Sequence, residues 1–89
     1  MNKHVARLKQ LVEGMPRVEP VGRQAVISAE LQAVEDAFRY EKDALVDAVH
    51  HYAAARERRA SAEERATLYR QVTDALGALV QAVEHRERS

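Results

Sequence analysis

Between residues 23 and 59 the sequence places Ile27, Leu31, Val34, Phe38, Leu45, Ala48, Val49 and Tyr52 at alternating steps of three and four. That spacing draws one continuous apolar stripe along a helix. Pro20 suits a first helical turn and Ser28 is itself a good cap, so the stripe's helix starts at one or the other. Counted only from Ser28 to Arg59 it already runs about 48 Å at about 1.5 Å per residue. A chain of 89 residues that spends so much of itself on one helix has room for one small domain.

A second stripe follows at once. Ser61-Ala62-Glu63-Glu64 reads as a capping box, with Ser61 accepting from the Glu64 amide and the Glu64 side chain reaching back. It opens a helix over 62–86 whose seam is Tyr69, Val72, Leu76, Leu79 and Val83. The link at Arg59 to Ser61 is short enough that the two helices must fold back antiparallel. The register then sets Tyr52 near Tyr69, Val49 near Val72, Leu45 near Leu76 and Phe38 near Val83.

Ahead of this hairpin, Val5, Leu8, Leu11, Val12 and Met15 predict a short amphipathic helix over 3–13, with Asn2 able to cap it. Gly14, Pro16, Pro20 and Gly22 then break any period, giving a connector over 14–22. Abundant alanine, five glycines and prolines in all, and only Phe38, Tyr40, Tyr52 and Tyr69 as aromatics complete an all-α composition. The predicted fold is a long antiparallel hairpin preceded by a short helix.

A hairpin of this size gains little from its own core. The last helix carries a second apolar row beside its seam, Leu68, Ala75, Val80 and Ala82, and the long helix overhangs the shorter ones. Both surpluses predict an interface on Leu68, Ala75, Val80, Ala82, Leu31, Val34 and Glu41, completed into a coiled-coil-like bundle by a second copy or a partner's helix. Glu41 stands in the stripe where Leu or Val is expected, either as a device selecting register or partner, or snorkelling to water. Gly77, flanked by Ala75, Ala78 and Ala82, suggests close helix approach.

Other chemistry finds less support. Asp36, Tyr40, Asp43, Asp47 and His50 share a helix face, and Asp47-Ala48-Val49-His50 has the form of half a ferritin-like metal motif. That face lies opposite the apolar stripe, and the last helix supplies no second acid and histidine pair, so no metal or other cofactor is expected. No cysteine nucleophile, Ser-His arrangement or glycine-rich phosphate loop points to an enzyme. Fourteen basic residues balance fourteen acidic ones, so no global field favours nucleic acid. The hairpin is expected to gather Arg17, Arg23, Arg86 and Arg88 at one basic end, the basis of an alternative role in binding an anionic ligand or nucleic acid. No run is apolar enough for a membrane span or a signal peptide, and the lack of cysteine fits a reducing cytoplasm.

Leu45-Val46-Asp47-Ala48-Val49-His50-His51-Tyr52-Ala53 resembles a helix segment of LemA-type bacterial proteins. The outline of a long helix, a tight link and an alanine-rich helix is similar to small co-chaperones of type III secretion, which implies shielding of a partner protein. No functional residue is carried over from either. The function expected from the sequence is a cytoplasmic, non-catalytic helical adaptor or chaperone-like module, working as a homodimer or with a protein partner.

Overall fold

The computed structural model describes residues 3–34 and 36–88, and among them the chain is all-helical. Four helices follow in order: α1 (Lys3–Gly14), α2 (Pro20–Gln32), α3 (Arg39–Glu57) and α4 (Ala62–Arg88). Single 3-10 turns stand at Met15–Arg17 and Asp36–Phe38. The cap expected of Asn2 lies outside the described residues.

The main departure from the sequence reading is the long helix. The span 23–59 is two helices, with a turn between Gln32 and Arg39 that reverses the chain. The starting helix begins at Pro20, ahead of Ser28, because proline at the first helical position is preset in φ and its missing N–H removes no helical bond. Of the predicted connector over 14–22, Gly14 thus ends α1, 15–17 form a 3-10 turn and 20–22 open α2.

Each helix runs antiparallel to the next. His4 meets Glu30 at one end of the α1/α2 pair, with Nδ1 2.9 Å from Oε1, while Gly14 lies beside the Arg23 guanidinium at the other. Between α2 and α3, Gln24 Nε2 meets His50 Nδ1 at 3.2 Å, and Lys42 Nζ donates to the Val34 carbonyl at 2.8 Å. The α3/α4 pair has the Tyr52 and Tyr69 rings 5.4 Å apart near its link and the Arg86 guanidinium 5.7 Å from the Phe38 ring at its far end. The ring closes where the Tyr69 hydroxyl donates to the Val12 carbonyl at 2.9 Å, joining α4 to α1. Only these neighbouring pairs pack among the described residues, so the chain is an up-and-down four-helix bundle.

The turn between α3 and α4 is built as a helix stop. Arg59 has φ 56°, the left-handed conformation that glycine usually supplies. The Ala60 amide donates to the Ala55 carbonyl and the Arg59 amide to Arg56, the two bonds of a Schellman motif. Ser61 Oγ accepts from the Glu64 amide at 3.1 Å as the capping box requires. The Glu64 carboxylate, however, turns away from the cap to pair with Arg58, whose hydrogen bond holds that carboxyl below its usual range.

The core is apolar throughout and draws on every helix. Val5, Leu8, Ile27, Leu45, Val72 and Leu79 are each 0% exposed, and no polar side chain is buried among the described residues. Each fully buried side chain of this kind contributes about 1.5–3 kcal/mol of transfer free energy. The molecule measures 43 × 21 × 18 Å, and α4, about 40 Å long at its 27 residues, spans the long axis alone.

Candidate functional site

A four-helix ring changes what α4's broad apolar face means. A helix with two neighbours needs an apolar face wide enough for both, and α4 has α3 on one side and α1 on the other. At 100° per residue Val80 falls on the opposite flank of the seam from Leu68, Ala75 and Ala82, so the four do not form one row. All four are half-buried and packed against the core. Leu31 and Val34 are 2% and 4% exposed. These two cannot present themselves to a partner while the bundle is closed, because the reversal at Asp36–Phe38 folds α3 back against α2 and takes them into the core. The chain supplies for itself the bundle that a partner was expected to complete.

The predicted basic end is also taken apart by that reversal. Arg56 Nη1 donates to the Met15 and Val18 carbonyls at 2.7 and 2.6 Å, which pins the stretch containing Arg17 beside the C-terminal end of α3. Arg23 lies at the same end, against Gly14. Arg86 stacks over Phe38 at the opposite end of the molecule, with Arg88 two residues further on. The four arginines therefore form two separated pairs.

Gly77 is not a point of close approach either, since a methyl group there would meet nothing within 4 Å. Asp36, Tyr40, Asp43, Asp47 and His50 all lie exposed along the outer side of the bundle.

What the structure does bring together lies around Glu41. Its side chain is half-buried at the edge of α3, and its Oε2 is buried with no hydrogen-bond partner. Facing it across a shallow groove are Ala78, Gln81, Ala82, His85 and Arg88 of α4, residues that recur one turn apart. The two alanines form the floor because their short side chains leave the helix backbone low. Glu84 lines the same groove, so two carboxylates stand against one arginine.

An unpaired carboxylate oxygen removed from water is costly, on the order of 1–3 kcal/mol or more for a charged group. Gln81, His85 and Arg88 line the groove, yet none of them donates to this oxygen, and adding a donor is the plainest thing a ligand could do there. Of these residues the sequence reading placed Glu41 and Ala82 on one predicted interface, Ala78 beside Gly77, and Arg88 at the basic end. Gln81 and His85 were missed, although Ala78, Gln81, His85 and Arg88 follow one another at steps of three, four and three, which marks them as one face.

Comparison of the chain with protein-family models, with curated proteins and with solved structures found no match. No helix among the described residues is long and apolar enough to cross a membrane.

Proposed function

We propose that the chain is a non-catalytic helical interaction module, adaptor or chaperone-like, working in the cytoplasm. It takes an amphipathic helix of a partner protein along the groove between α3 and α4, and a lysine or arginine of that helix supplies the donor that Glu41 lacks. The unpaired Glu41 Oε2 carries this reading. A charge in an otherwise apolar stripe adds nothing to the bundle's own stability, whereas a partner bringing a cation gains a charge-assisted hydrogen bond at a site already shielded from water. The low alanine floor at Ala78 and Ala82 gives an approaching helix room to seat.

The test uses designed amphipathic helical peptides that differ only at the centre of the apolar face, carrying lysine, glutamine or glutamate. Titrated onto the fluorescently labelled chain, the lysine peptide should bind about tenfold or more tightly than the glutamate one, a difference of about 1.4 kcal/mol or more. Glu41→Gln should erase that preference while leaving the melt of the bundle unchanged or raised. Equal affinity for all three peptides on the parent chain would remove the basis of the reading.

A further inference from the structure

The joint between α2 and α3 differs in kind from the other two. The α1–α2 connection contains Pro16 and is closed by Pro20 at the first position of α2, and the α3–α4 turn is a Schellman stop with a left-handed residue. Between residues 23 and 59 there is no glycine and no proline at all. Ala33 closes α2 with φ −79° and ψ −11°, still in the right-handed helical region.

The apolar phase runs straight through this joint. Laid on a single helix, Ile27, Leu31, Val34, Phe38, Leu45 and Tyr52 all fall within about 40° of one line. Antiparallel helices joined by a turn have no need to keep a common phase, since the turn sets how each faces the core. A continuous helix does need it. The hydrogen bonding at the joint is likewise exchangeable: the Val34 carbonyl now accepts from Lys42 Nζ, and in a straight helix it would accept from the Phe38 amide.

Straightening would lift α1 and α2 together away from α3 and α4, exposing Leu8, Val12 and Ile27 on one half and Leu45, Val49 and Leu79 on the other. The surface that fits each exposed half is the other half, and a second copy in the same open form offers it. We propose that two copies of this chain exchange their α1–α2 pairs, with α2 and α3 then running as one helix. Every contact of α1 with α4 and of α2 with α3 is then remade between copies, and only the joint differs. Because α3 and α4 stay together in both forms, the groove beside Glu41 is unaffected, and this proposal stands or falls separately from it.

The experiment refolds the full chain at low and high concentration and reads mass by light scattering after size exclusion. A dimer should appear at high concentration and persist on dilution, since release requires unfolding. Asp36→Pro places proline at the first residue of the 3-10 turn, where a bend tolerates it and a helix interior does not; it should lower the dimer fraction by about a hundredfold or more. Lys42→Ala, which removes the bond holding the bend to Val34, should raise it.

A cross-link that does not depend on these variants decides the topology. Gln24→Cys with His50→Cys places the chain's only two thiols at a contact of α2 with α3, and a short bismaleimide should join them between copies in the dimer fraction and within one copy in the monomer. A dimer cross-linked only within copies would mean that the chains associate without exchange. A chain that stays monomeric at every concentration overturns the proposal outright.

Discussion

Tyr69 acts at residue scale by tying the fourth helix to the first through its hydroxyl. Burial, with lesser contributions from Tyr52 and Glu13, raises its pKa above the ordinary value. A raised acid of this kind stays protonated in the folded chain where the unfolded chain has begun to lose the proton. Its contribution is therefore complete below about pH 10 and lost as pH rises through the higher folded value. Tyr69→Phe should cost about 1 kcal/mol at neutral pH and flatten the alkaline end of the stability profile, followed by denaturant melts from pH 8 upward. Gly77→Ala works in the opposite direction. The added methyl meets open space, so the expected gain is the helix propensity of about 1 kcal/mol, read as a higher Tm. A loss of stability instead would mean that the glycine serves a packed contact.

At the scale of elements, the first helix is the sharpest test of the bundle. If it merely shielded one end of a hairpin, truncating it would matter little. Leu8 is fully buried, so Leu8→Ala should cost about 2–5 kcal/mol, as much as Leu45→Ala in the third helix. A melt within error of the parent would show α1 to be loosely attached. The stripes themselves were legible in the sequence. Val5, Leu8 and Val12, the α4 seam, the Ser61 cap and the meeting of Tyr52 with Tyr69 all follow from spacing and turn chemistry. The break after Gln32 was not, and for a physical reason: no glycine or proline marks it, and the apolar phase is unbroken across it. Reading one helix there made the chain look too short of neighbours, which turned Leu31 and Val34 into apparent interface and drew Arg17 and Arg23 towards the wrong end. Glu41 was visible as an anomaly, but its groove depends on which face of α4 lies opposite, and that is set by the fold.

On the scale of the whole molecule, closure of the ring is what a small all-α chain gains from its reversal at Asp36–Phe38. Four short layers bury a common core that two long helices would have left half open. The resulting bundle has a consequence for how fast it forms and how it comes apart. Three of its four interfaces join helices adjacent in sequence, so each can form by closing a short loop. The fourth, between Val12 and Tyr69, spans 57 positions and carries the largest closure entropy of the molecule. Docking of α1 onto α4 is thus expected to be the last event in folding and the first in unfolding. In a chevron analysis, the stability lost in Tyr69→Phe should appear almost wholly as faster unfolding, with the refolding limb superimposed on the parent's. A refolding limb slowed by the full amount would place that docking in the nucleus, ahead of the local pairs.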